Sequence, residues 1–86
     1  MNLITRLKIM RLLSRVIKLQ EKAPQGISYN FEYTGNTNEV DFFKFRKKDG
    51  RYVSSSHFHH YIGKNYGCTL KELEEQIAKE EEGLNA

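Results

Sequence analysis

Tryptophan is missing from this chain, proline and cysteine occur once each, and no long apolar run interrupts the polar residues. Each shortage excludes something. Cys68 alone can form no intrachain disulfide, so a reducing compartment, the cytoplasm, is the expectation. Without an extended apolar run there is neither a secretory core segment nor a transmembrane span. One proline and six glycines are too few for linker or low-complexity sequence, and no internal repeat is found. No phosphate-cradling loop, acid/base pair or spaced metal-ligand set is legible. The chain is therefore not expected to be an enzyme or to carry a cofactor, and no small-molecule substrate is evident.

Acidic residues are also absent before Glu21. Residues 1–22 carry six basic groups and one acidic, whereas residues 69–86 carry two basic and six acidic. The net charge of +3 thus hides a basic head and an acidic tail. With 38% hydrophobic and 29% charged residues the composition is globular, and a single domain over 1–86 is expected.

The spacing predicts a helix from Leu3 to Lys22 within a basic amphipathic segment, 1–23. Pro24 and Gly26 end it, because proline cannot continue a helix and glycine permits the turn. Lys8, Arg11, Arg15, Lys18 and Lys22 fall on one narrow arc. Apolar residues fill most of the remainder, an arc wider than one sheet face needs. The acid-free start mimics a mitochondrial presequence, but the pattern runs into the next element without a break in composition.

A three-stranded antiparallel meander is expected over 27–55. Ile27, Tyr29, Phe31 and Tyr33 alternate with polar residues, the period of a half-buried strand. Val40 and Phe42 share one parity and Phe43 and Phe45 the other, which implies two covered faces or a bulge near Phe42-Phe43. Asp49-Gly50 is a two-residue hairpin signal. It sets Lys47 opposite Tyr52, Arg46 opposite Val53 and Phe45 opposite Ser54. Phe43, Phe45 and Tyr52 then share a face, and Lys44, Arg46 and Val53 the other.

Ser54-Ser55-Ser56 offer helix caps, and Phe58, Tyr61 and Ile62 follow at i, i+3, i+4, so a short helix is expected over 56–66. Thr69 and Glu72 form a capping box that opens an acidic C-terminal helix over 69–82, after which the chain should fray. The predicted fold is α+β in the order α-β-β-β-α-α, with the two long helices on one face of the sheet. The predicted core is Leu7, Met10, Leu13, Ile17, Tyr29, Phe31, Tyr33, Phe43, Phe45, Phe58, Ile62, Leu73 and Ile77.

Two basic surfaces are candidate binding sites. Lys44, Arg46, Lys47, Lys48 and Arg51 crowd one hairpin beside Tyr52, a footprint that suits phosphates and one stacked base or an acidic protein. Lysines also protect a strand edge without any partner. The second surface is the stripe Lys8, Arg11, Arg15, Lys18 and Lys22, which meets either an acidic partner or the acidic last helix of its own chain. His57, His60 and Cys68 are weak metal candidates. On a helix His57 and His60 share a face while His59 turns away, and no H-x3-H or C-x2-C spacing supports them. Cys68 lies before a helix cap, where the dipole activates a thiol, but no base accompanies it.

Phe31-Glu32-Tyr33-Thr34-Gly35-Asn36, followed by Val40, Phe42 and Gly50, resembles small uncharacterised proteins encoded by phages and prophages of Gram-positive bacteria. The resemblance implies an intracellular accessory or interaction role and carries no site residues. A non-enzymatic protein-interaction or self-associating module is the leading expectation. Nucleic-acid binding through the two basic surfaces is the alternative.

Overall fold

Asn2 starts the first helix by accepting a hydrogen bond from Thr5 N at 2.8 Å, which satisfies one of the free amides at a helix start. In the computed structural model, which describes residues 1–85, α1 spans Leu3–Lys22 and stops before Pro24. Three strands follow, β1 (Ile27–Thr34), β2 (Glu39–Lys48) and β3 (Arg51–Tyr61), and α2 (Leu70–Asn85) closes the chain. The sheet is antiparallel with β2 in the middle.

The β2–β3 turn behaves as its residues require. Asp49 and Gly50 both have positive φ, the demand of a type I′ hairpin, and Lys47 pairs with Tyr52, Arg46 with Val53 and Phe45 with Ser54. The register then shifts between Phe45 and Lys44, which leaves Ser55 as an extra residue on β3. The bulge expected near Phe42-Phe43 is thus on the neighbouring strand.

The short helix expected over 56–66 does not form. β3 continues to Tyr61, and residues 62–68 turn back so that Gly67 bridges His60. Phe58 and Ile62 do fit a helical spacing, but Phe58 and His60 also alternate with His57, His59 and Tyr61. Pairing with β2 satisfies the inward-facing backbone groups along the whole of the longer strand, more than one isolated helical turn can. The serines offered as caps lie within the strand. The capping box of α2 is present, with Glu72 N donating to Thr69 Oγ1 at 3.0 Å and Thr69 N to Glu72 Oε1 at 3.2 Å. The helix does not fray at Gly83: it runs to Asn85, and Leu84 packs against the core.

Both helices cover one face of the sheet. Ile9, Leu12, Val16 and Leu19 of α1, Tyr29, Val40 and Phe42 of the sheet, and Leu73 and Ile77 of α2 form the buried core. The expected core is corrected on α1, where Leu7, Met10, Leu13 and Ile17 are exposed, and at Tyr33. Phe43 and Phe45 lie half-buried on the opposite, open face. Phe31, Phe58 and Ile62 pack at the core margin. The thickness of 17 Å is that of one sheet and one helix layer.

Candidate functional site

The fold leaves three surfaces that it does not use: the outer side of α1, the open sheet face and the β2–β3 hairpin tip.

On α1, side chains seven apart fall in one column. Leu3, Met10 and Ile17 form the central column, with Leu7, Ser14 and Glu21 on one flank and Arg6, Leu13 and Gln20 on the other. The apolar members, with Ile4, are between 41% and 68% exposed and gather on one helix, unlike the scattered single apolar residues that any surface carries. Tyr33 of β1, half exposed, borders this surface where Met1, Arg6 and Met10 line a groove. The outer edge of β1 is unpaired. Neither Arg6 nor Glu21 has an ion-pair partner among the described residues.

The open sheet face carries a row of rings. Phe45 stacks on Phe43 at 5.5 Å and Phe43 on His57 at 4.1 Å. His57 meets His59 edge to face at 5.1 Å, His59 tilts against Tyr61 at 5.2 Å, and Tyr61 against Tyr66 at 4.7 Å. Phe43 and His57 spend ring faces on each other, so the middle of the row is a poor platform for stacking a base. Beside the row, the buried Asp41 accepts from His57 Nε2 at 2.6 Å, and Glu39 lies 3.8 Å from His59 Nδ1.

The histidines therefore sit otherwise than a helix would place them. His57 and His59 share the open face, whereas His60 faces the helix side and hydrogen-bonds through Nδ1 with Cys68 O at 2.9 Å. His57, His60 and Cys68 do not converge on one point. Instead Asp41, His57 and His59 present ligand atoms within 4.8 Å of one another. Asp41 was hidden as a candidate because its partners depend on β3 continuing through the histidines. Burial pushes the Cys68 thiol up, and Glu72 adds to the shift, the opposite of an activated nucleophile.

The hairpin candidates divide. Lys47, Lys48, Arg51 and Tyr52 are exposed at the tip. Lys44 is turned to the helix side, where it pairs with Glu80 of α2 at 2.7 Å, and Arg46 donates to Ser55 Oγ at 3.3 Å. The α1 stripe divides as well. Arg15 reaches Glu81 at 2.6 Å and Glu74 at 3.3 Å on α2. Its bond to Glu81 leads the effects that raise the guanidinium's pKa, and the same bond lowers the Glu81 carboxyl. Lys8 and Arg11 line a groove with Glu74, and Lys18 and Lys22 line one with Glu81. The acidic helix thus lies alongside the basic stripe.

No helix is long and apolar enough to cross a membrane. No protein-family model, curated protein or solved structure matches the chain.

Proposed function

We propose that the chain is a non-enzymatic self-associating module whose partner is a second copy, paired antiparallel through α1. The observation that carries this reading is the continuous exposed column Leu3, Met10 and Ile17 with Leu7 and Leu13 beside it. Each such side chain contributes roughly 1.5–3 kcal/mol when fully buried, so a solvated face of this size is unfavourable.

The charges favour a second copy over an unrelated partner. A twofold axis crossing α1 between Leu13 and Ser14 sets Met10 level with Ile17 of the second copy, and Arg6 level with Glu21 of the second copy. The face is then complementary to itself in both apolar and charged positions, with the small Ser14 at the crossing. A parallel pairing would set Arg6 against Arg6. Arg15 of the basic stripe is engaged by α2, and the stripe lies beside that helix, outside the contact. The resemblance to phage-encoded proteins suggests an accessory role for such an assembly.

The test is charge reversal read by analytical ultracentrifugation. Arg6→Glu and Glu21→Arg should each weaken the dimer by roughly tenfold, taking ~0.7 kcal/mol for each of two symmetry-related pairs. Combining the two should restore it. A parent that stays monomeric at every concentration, or a double variant no better than the singles, overturns the reading. Circular dichroism of each variant shows whether α1 itself is kept.

A second reading, contact with nucleic acid through the hairpin tip, is favoured by the joint exposure of Lys47, Lys48, Arg51 and Tyr52.

A further inference from the structure

We propose that Asp41, His57 and His59 form a binding site for a divalent transition-metal ion of the zinc type on the open face of the sheet. Strand pairing builds the site. Asp41 on β2 lies directly opposite His59 on β3, and His57, two residues earlier on β3, projects from the same face. The three ligand atoms lie within 4.8 Å of one another. Zinc holds imidazole nitrogen at about 2.0–2.1 Å and carboxylate oxygen at about 2.0–2.2 Å, which sets tetrahedral ligand atoms roughly 3.3 Å apart. The 2.6 Å contact between Asp41 Oδ1 and His57 Nε2 opens slightly to admit the ion, which takes the place of the shared proton, and the wider separations close by side-chain rotation.

The donor set decides the class of ion. Two imidazoles with one carboxylate suit zinc, iron, nickel or copper, whereas magnesium and calcium prefer oxygen donors. The rings are also held in place. His57 lies on Phe43 with planes 12° apart and meets His59 at 90°, while His59 rests against Tyr61. Glu39 stands 3.8 Å from His59 Nδ1, outside hydrogen-bond distance here, and a small ring rotation on metal binding brings it into the place from which a carboxylate orients a ligating imidazole. Both histidines reach solvent, so an ion can enter without unfolding, and three protein ligands leave a position open. Such an ion clips β2 to β3 near the end of the pair opposite the hairpin tip. The site lies on the sheet face away from the helices and does not depend on self-association.

The test uses the untagged full chain with Co²⁺ and Zn²⁺. Visible absorption of Co²⁺ and calorimetry with Zn²⁺ should both saturate at one ion per chain, and melting temperature should rise with Zn²⁺ concentration. His59→Gln should weaken binding at least ~10-fold as a lost ligand, and Glu39→Gln by about 10-fold as a lost outer partner. His60→Gln should leave binding unchanged. Arg6→Glu, designed to weaken the dimer, should bind as the parent does, which separates failure of this site from failure of the dimer. The proposal is overturned if the parent shows no saturable Co²⁺ signal, if binding survives the His57→Gln/His59→Gln pair, or if His60→Gln abolishes it. Thermal melts of the metal-free variants verify that each folds, and because His59 is more exposed than Asp41 its replacement is the variant least able to disturb the sheet.

Discussion

Phe42 is 1% exposed and lies parallel to Tyr29 at 6.1 Å, whereas Phe43, the next residue, stands half-buried on the open face. The two have the same chemistry and different surroundings, so their truncations should separate. Phe42→Ala should cost about 3–5 kcal/mol, and Phe43→Ala roughly 1–2 kcal/mol because only part of its surface leaves water. Urea denaturation of the two variants measures the difference, and equal losses would place the core on the wrong face. Gly67 poses a sharper local demand. Its φ is +79°, and an added Cβ would sit 2.8 Å from His59 O, a backbone atom that cannot yield easily. Gly67→Ala should therefore cost at least ~1 kcal/mol and loosen the turn that carries Tyr66 onto Tyr61. At this scale the sequence was a partial guide. Alternation located Tyr29 on the core side, but Phe42 and Phe43 have opposite parity, and only the helices above decide which parity is covered.

Among the elements, α1 was legible in its limits and not in its orientation. Pro24 marks the end, yet Met10, Leu13 and Ile17 are as apolar as Ile9, Leu12 and Val16, and nothing local says which set meets the sheet. The β2–β3 register was legible because Asp49-Gly50 admits one turn geometry. The histidine strand was not, because its apolar spacing fits a helix as well as an edge strand, and the metal candidates were misplaced with it. The contact between the helices makes a measurable pH dependence. Arg15 holds the Glu81 carboxyl below its ordinary value of 4.5. A carboxyl lowered in the folded state stabilises the fold above its unfolded pKa, and that contribution is lost as pH falls through the folded value. Stability of the parent should thus gain from the pair at neutral pH and lose that gain in acid below about 4.5. Glu81→Gln should cost about 0.5–1 kcal/mol at pH 7, a figure reduced for solvent screening, with the difference vanishing in acid. Parallel stability curves for parent and variant down to low pH would show that the pair contributes nothing. On the sheet side of α2, burial and then the bond to Glu80 push the Tyr29 hydroxyl up to about 12, so it remains a neutral donor throughout that titration.

Across the whole molecule, the basic head and acidic tail lie side by side on one layer, and the hairpin tip gathers a separate cluster of positive charge that has no ion-pair partner among the described residues. Asp49 is the only acidic residue between Lys44 and Arg51, and its neighbours Lys47, Lys48 and Arg51 are all exposed. Like charges so close repel, and the tight turn keeps them there, so the tip should dominate any attraction to polyanions. The prediction concerns Lys47→Gln, Lys48→Gln and Arg51→Gln combined, which removes three charges and brings the formal net charge from +3 to zero. Because these are solvated side chains at a turn, each substitution should change stability by within about 0.5 kcal/mol, and the melting temperature should barely move. Binding to single-stranded oligonucleotide should behave otherwise. The parent should bind more weakly as salt rises, since phosphate contacts release counterions, and the triple variant should lose both the affinity and about three contacts' worth of salt slope. Fluorescence anisotropy across a salt series reads both quantities. A triple variant that binds as the parent does, with the same slope, would move the polyanion contact to Lys8, Arg11 and Lys18 on α1, where Glu74 and Glu81 already compete for it.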